Sequence, residues 1–336
     1  MRALFGGERY TAELAWADLA AVLPGWEIIA CPPEQVSKHL DGVDVICPVG
    51  ARIDGAVLEA GTFGLVHQFG VGLERVDIAR ATELGVLVAR VPGDAGGNAD
   101  SVAEIAVLHL LALSRRLEEA RAALQEGRWP ARPTGSSLQE ATVVIVGLGA
   151  TGVAVARRLA PFVSRLLGVR AHPGLGGPAE VERVTGPDEL PGLLAVADAV
   201  ICCAMFTGDN AGMFGTAAFS AMKPGALFVN VARGGLVDED ALLAALQSGR
   251  LGGAGLDVYA SEPADPSSAL LRHPLVLATP HVGGLTGYMF RSTGQVFAAN
   301  VQRWARGESP SWAVNSPAFR RWPPGGDAVR RDGPFS

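Results

Sequence analysis

Three polar residues in the second half of the chain each stand just beyond a short apolar run: Arg233 in VNVARGGLVDEDAL, Glu262 in GLDVYASEP and His281 in ATPHVGG. If the runs are strands of an open α/β sheet, ligands gather at their carboxyl ends and the three side chains can converge there. Their chemistry is complementary. A guanidinium keeps its charge and presents a planar fork that matches a carboxylate. An imidazole, with an ordinary pKa near ~6.5, gives and takes a proton around neutrality. A carboxylate beside it would orient the ring and favour its protonated form. Any one of these residues in isolation reads more simply as a surface group or a satisfied polar one. Together, the three separate patterns serve one chemistry, an anion held beside a reversible proton donor.

A further segment, TVVIVGLGATGVAVARRLA, places Gly147, Gly149 and Gly152 in the spacing G-x-G-x-x-G, with a β-branched run before them and a helical pattern after. In that setting Gly147 permits a tight turn, Gly149 lets the backbone approach a pyrophosphate, and Gly152 lets the helix pack closely on the strand. The amides of Ala150 and Thr151 then sit at a helix N-terminus, where phosphate oxygens bind. The next strand closes on Arg170 in LLGVRAHPG, at the place where an acidic residue would accept hydrogen bonds from the ribose hydroxyls of NAD. A guanidinium cannot accept, but it pairs with a 2′-phosphate. The expected cofactor is therefore NADP(H), with NAD(H) the second candidate, and His172 could assist. The plainer reading leaves Arg170 facing solvent at a strand end.

These motifs need elements to hold them. The length of 336 residues exceeds the usual range of a single core and suggests two domains. Apolar segments at 26–31, 43–47 and 64–69 alternate with amphipathic stretches, and a second series follows at 142–146, 165–169, 199–203, 226–231, 253–257 and 276–278. Such alternation predicts parallel sheets flanked by helices. Between the series, 101–116 is apolar on most faces and reads as a buried helix at the junction of the domains; 285–306 reads as another long helix. A net charge of −6 leaves no basic excess for a phosphate backbone, which argues against nucleic acid. No apolar run reaches the ~18 residues of a membrane span. Cys31, Cys47, Cys202 and Cys203 form no CxxC pair and read as buried free thiols of a reducing compartment. With no apolar signal segment at the N-terminus, the expected location is the cytoplasm.

Taken with HQFGVGLERVD (67–77) and GGNADSVAEIA (96–106), the three catalytic segments resemble the D-isomer-specific 2-hydroxyacid dehydrogenases of the glyoxylate/hydroxypyruvate reductase kind, from about residue 40 to residue 305. The resemblance implies an α/β architecture in which a doubly wound Rossmann cofactor domain (98–285) is inserted into a flavodoxin-like substrate domain (1–97 and 286–314). The tail 315–336, rich in Pro, Gly and Arg, reads as a weakly ordered extension. The resemblance also implies hydride transfer between NAD(P)(H) and a small 2-oxo or 2-hydroxy acid of D (R) configuration. Arg233 would anchor the substrate, His281 would be the acid and base, and Glu262 would orient the imidazole. Asp257 would hold the nicotinamide carboxamide and Thr207 would lie along the cofactor. The backbone amides of Gly70, Val71 and Gly72, with Asn98, would bind the substrate, and Glu104 would be structural. A homodimer is also implied.

Other residues stay with simpler readings. His67, His39, His109 and His273 have no metal-ligand spacing, so no metal site is expected. Asp238, Glu239 and Asp240 most simply cap the helix that follows. Two departures bear on substrate: Val71 stands where phosphite-oxidising relatives have lysine, and Glu262 stands where formate dehydrogenases have glutamine. A third, Met205 where many relatives have proline, leaves the shape of the cofactor-facing loop open. The rival reading is a nucleotide-sensing interaction module like the C-terminal-binding corepressors, which share the fold and these residues.

Overall fold

The computed structural model describes residues 1–7, 19–129 and 135–321. The chain folds as two compact units, one made of Met1–Asn98 and the segment from Thr286 on, the other of Ala99–Leu285.

The first unit is built on a five-stranded sheet, with β1 (Arg2–Gly6), β2 (Glu27–Cys31), β3 (Val45–Cys47), β4 (Leu65–Gln68) and β5 (Leu87–Arg90) in the order β2-β1-β3-β4-β5. Every pairing is parallel. This is the flavodoxin-like order. Both faces are covered along most of the sheet, so β1, β3, β4 and β5 read as largely apolar runs, while β2 at the edge alternates between exposed and buried residues. Ala3, Phe5, Val45, Cys47 and Leu65 face one core, which the long helix Gly287–Ala305 closes with Phe290, Phe297, Val301 and Trp304. Leu4, Ile46, Val66 and Val88 face the other, with Ile53, Leu58 and Phe63. Two of these strands, β1 and β5, were not anticipated.

The second unit carries seven parallel strands in the order β12-β11-β10-β9-β6-β7-β8: β6 (Thr142–Val146), β7 (Arg165–Val169), β8 (Arg183–Thr185), β9 (Ala199–Cys202), β10 (Ala226–Asn230), β11 (Leu251–Leu256) and β12 (Val276–Ala278). The chain turns back at β6, from which β7 and β8 run one way and β9 to β12 the other, giving the switch point at which doubly wound sheets bind ligands. Val144 and Val146 enter one core and Val143 and Ile145 the other, as strand alternation requires. The helix Asn98–Ser114 packs on the second core through Val102, Ala106 and Leu110, while its Leu108 is exposed. The edge strand β8 was also not anticipated, because Val184 is its one large apolar residue.

The extension expected from residue 315 is corrected over its first part. Asn315 accepts from the Val88 amide through Oδ1 (2.8 Å) and donates to the Val86 carbonyl and the Thr82 hydroxyl (both 2.9 Å). The Arg321 amide donates to the Gly85 carbonyl at 2.9 Å. Asparagine replaces a missing strand neighbour along β5, which sequence pattern does not reveal. Residues 322–336 lie outside the described residues.

Candidate active site

At the end of β6 the chain makes the glycine turn. Gly147 has φ +99°, a conformation that L side chains rarely adopt, and a Cβ there would overlap the backbone of Ala204 beyond β9. A Cβ on Gly152 would overlap the Gly147 carbonyl, so the helix Ala150–Leu159 sits tight on its strand. Gly149 is different: nothing lies within 4 Å of the position its Cβ would take. It is also the helix N-cap and brings no side chain to the N-terminal amides, among them those of Ala150 and Thr151. The turn is closed where it packs and open where a phosphate would come, which fits a dinucleotide.

Arg170 follows β7 and is half-buried. Its amide donates to the Thr185 carbonyl (3.0 Å) and its Nη1 to the Gly176 carbonyl (2.6 Å), so the guanidinium is tied into its own loop rather than loose in solvent. His172 is exposed. Beyond β9, Thr207 caps the 3₁₀ turn Gly208–Asn210 in a reciprocal pair with Asn210, whose Nδ2 also donates to the Met205 carbonyl at 2.8 Å. This turn gives the loop its shape despite the absent proline.

The imidazole Nδ1 of His281 donates to Glu262 Oε2 at 2.8 Å. That bond leaves Nε2 as the ring atom able to meet a substrate. Burial pushes the Glu262 carboxyl up, but the His281 hydrogen bond and charge, the Tyr259 amide (3.1 Å to Oε1) and the Arg233 charge together hold it below the usual carboxylate range. Arg233 thus acts on the pair electrostatically. Its loop is fixed by Asn230, whose Nδ2 donates to the Arg233 carbonyl (3.0 Å), and by Gly234, where a Cβ would overlap the backbone of Tyr259 and Ala260. The Arg233 and Glu262 segments therefore touch backbone to backbone.

His281 itself has φ +53°, and the turn around it is held from several directions. Asp257, 2% exposed, accepts through Oδ1 from the Thr279 hydroxyl (2.6 Å) and the Val282 amide (2.9 Å), and through Oδ2 from the Gly283 amide (2.8 Å). The Tyr259 hydroxyl donates to the Thr279 carbonyl at 2.8 Å. Asp257, expected against the nicotinamide, has as its visible task the turn that carries the histidine. Glu239, expected only as a helix cap, also accepts from the Ala260 amide at 2.8 Å, while Asp238 is the cap.

In the first unit, Gly70, Val71 and Gly72 follow β4. The Gly70 carbonyl accepts from the Val91 amide (3.1 Å) and the Val71 carbonyl from Arg90 Nη1 (3.2 Å). Gln68 brackets Val49, accepting from its amide at 3.0 Å and donating to its carbonyl at 3.2 Å, which steadies a β-branched residue at φ +51°. Asn98 opens the helix that leads to Ser114 and is half-buried. Glu104 is exposed and, with Asp100, faces Arg158 as a surface ion pair. His67 is fully buried in this unit, edge-on to Phe297.

The sequence reading singled out neither Tyr259 nor Thr279, though both lie inside its motifs, and it passed over Gln68 and Arg90. His109, noted only for lacking metal-ligand spacing, has its partner Thr279 170 positions away.

Comparison with known proteins agrees with this architecture. Residues 107–283 match the family model of the D-isomer specific 2-hydroxyacid dehydrogenase NAD binding domain. The chain is 35% identical over 263 residues to the glyoxylate reductase/hydroxypyruvate reductase of Mus musculus, covering 76% of this chain and 78% of that protein. It is 32% identical over 271 residues to the D-3-phosphoglycerate dehydrogenase of Archaeoglobus fulgidus, and spans 50% of its length, as it spans about half of the other phosphoglycerate dehydrogenases it matches. The NADPH-dependent glyoxylate/hydroxypyruvate reductase of Sinorhizobium meliloti, solved with NADP and malonate, superposes with a TM-score of 0.80 at 29% identity, over 96% of this chain and 99% of that one. With more than half of its length matched by the family model, this chain belongs to the D-isomer-specific 2-hydroxyacid dehydrogenases.

Proposed function

We propose that the protein reduces a short 2-oxo acid, of the glyoxylate or hydroxypyruvate kind, to the D (R) 2-hydroxy acid, with NADPH as the preferred cofactor. The observation that carries this reading is the 2.8 Å His281–Glu262 bond under the charge of Arg233. The Gly147–Gly152 turn and the amides of Ala150 and Thr151 would hold the dinucleotide, which would supply the hydride for the carbonyl carbon. Arg233 grips the substrate carboxylate and polarises the carbonyl. His281 Nε2 gives its proton to the carbonyl oxygen as the C–H bond forms, and Glu262 stabilises the imidazolium beforehand. Asp257 and Tyr259 keep the ring in place. In the first unit the Gly70 and Val71 carbonyls already accept from the Val91 amide and Arg90 Nη1, and the amides of Gly70, Val71 and Gly72, with Asn98, are that unit's candidate substrate-binding groups.

NADPH is favoured because Arg170 follows β7 with its guanidinium held by the Gly176 carbonyl, and because the Sinorhizobium meliloti relative is NADPH-dependent. A homodimer is supported by Leu108, Leu117, Leu124 and Trp129, large apolar side chains exposed within 22 residues of chain. The buried thiols of Cys31, Cys47 and Cys202 suit a reducing compartment such as the cytoplasm.

The test is a panel of 2-oxo acids with NADPH and NADH, run on the parent and on Arg170→Asp. Steady oxidation of NADPH with one short 2-oxo acid is expected, at a specificity constant roughly tenfold to a hundredfold above that with NADH, and the variant should reverse the order. Nucleotide binding without turnover on any acid would favour the sensor instead. Equal use of NADH by the parent would remove Arg170 from the cofactor site and leave the reaction class standing.

A further inference from the structure

His109 lies on the helix Asn98–Ser114, is fully buried, and faces β11, where a Cβ on Gly255 would stand 2.7 Å from the His109 Cβ and 2.9 Å from its Nδ1. Its Nε2 is 3.3 Å from the Thr279 hydroxyl, and that hydroxyl is 2.6 Å from Asp257 Oδ1. A hydroxyl has one proton, and a carboxylate offers none, so the shorter contact takes the Thr279 proton. The oxygen can then only accept from His109, which fixes the imidazole as its Nε2–H tautomer. The other nitrogen, Nδ1, is buried and has no hydrogen-bond partner among the described residues.

Around it the helix buries Ala106 and Leu110, so an apolar side chain would suit the position. A buried ring nitrogen left unpaired costs stability and calls for an explanation. The donated bond to Thr279 supplies one. From the arrangement we infer that His109 is a positioning residue for the reaction: it pins the Thr279 hydroxyl on Asp257 and thereby fixes the turn on which His281 stands at φ +53°. The chain of contacts runs His109, Thr279, Asp257, then the Val282 and Gly283 amides immediately after His281. Every member belongs to the Ala99–Leu285 unit. Burial lowers the His109 pKa, against the opposing pull of Asp257, so the neutral ring that this arrangement needs is the form that persists. The inference rests on His281 being the acid of the proposed reaction.

A histidine kept for packing and one kept for positioning respond oppositely to replacement. His109→Leu removes the unpaired nitrogen and fills the apolar site, so its melting temperature should equal or exceed the parent's, whereas kcat should fall by about ten- to a hundredfold because the acid is no longer held in register. KM for the cofactor should stay within about twofold, since no dinucleotide contact is removed. His109→Gln keeps an N–H donor and should recover most of the loss. Thr279→Val, which deletes the hydroxyl at constant shape, should lower kcat to a similar extent, and the double variant with His109→Leu should be no slower than Thr279→Val alone.

Unchanged kcat in His109→Leu, or strictly additive losses in the double variant, would overturn the inference. So would failure of His109→Leu to fold, because the residue would then be a packing element. His281→Ala, assayed alongside, separates the two levels of argument. If it retains turnover, the assignment of the acid falls; if it is inactive while His109→Leu behaves as the parent, only the positioning role falls.

Discussion

At the scale of single residues, the site is a pair of ionisable groups whose properties depend on each other. Glu262 is held below the usual carboxylate range despite burial that pushes it up, because His281, the Tyr259 amide and Arg233 outweigh desolvation. It is therefore the charged acceptor of the His281 Nδ1 bond. Glu262→Gln keeps shape and removes that charge. A neutral acceptor holds the ring less firmly, so kcat should fall by about tenfold while KM for the dinucleotide stays within about twofold. Steady-state kinetics of parent and variant measure this directly, and an unchanged kcat would mean that the carboxylate has no part in the reaction. The identities of this pair were legible in the sequence because each follows an apolar run within a motif. Their supports were not. Tyr259 reaches Thr279 across 20 residues through a hydrogen bond that leaves no periodic trace, as Gln68 does within the first unit when it reaches back to Val49 across 19.

At the scale of elements, strand order decides which loops meet, and glycines decide how closely. The strands β6, β7 and β12 were legible at their observed bounds: β6 and β7 because, beyond Thr142 and the exposed Arg165, their runs are apolar and buried, and the partly exposed edge strand β12 because Val276–Ala278 is a short apolar run. Their neighbour β8 was not, since an edge strand needs only one good apolar contact. Two glycines in the site now separate packing from binding. Gly234 abuts the backbone of Tyr259 and Ala260, and backbone cannot yield as a flexible side chain can. Gly149 faces open space. Gly234→Ala should therefore lower the melting temperature, with a cost of about 1–3 kcal/mol, and slow turnover by displacing Arg233. Gly149→Ala, whose Cβ meets open space, should lower the melting temperature less, by the ~1 kcal/mol that separates Gly from Ala as an N-cap, while weakening dinucleotide binding. Melting curves with and without dinucleotide distinguish the two. Intact dinucleotide affinity in Gly149→Ala would contradict the assignment of the open side of the turn to phosphate.

At the scale of the whole molecule, each compact unit buries a histidine whose neutral form it requires, and stability should follow pH accordingly. In the first unit, His67 Nδ1 donates to the Gln68 carbonyl (3.1 Å), while Nε2 accepts from Asn300 Nδ2 (2.9 Å) on the long helix Gly287–Ala305. A second proton on Nε2 would set two donors face to face. Burial, only partly offset by hydrogen bonds to the Gln68 and His67 backbone, lowers the His67 pKa to about 4. The unfolded chain takes up this proton near ~6.5, so as pH falls below that value the unfolded state binds protons that the folded state refuses. The stabilisation is therefore complete above pH ~6.5 and lost as pH falls toward the folded value of about 4. Between pH ~7.5 and ~5 the loss from this one residue should be about 2 kcal/mol. His109, lowered in the second unit by burial, acts in the same direction. Urea unfolding of the parent and of His67→Gln at the two pH values tests the point. The variant should be weaker at the higher pH, where a fitted ring has been lost from beside Phe297, yet it should lose less on acidification than the parent does. Equal acid losses in the two proteins would place the pH dependence elsewhere and show that His67 is protonated in the fold without cost.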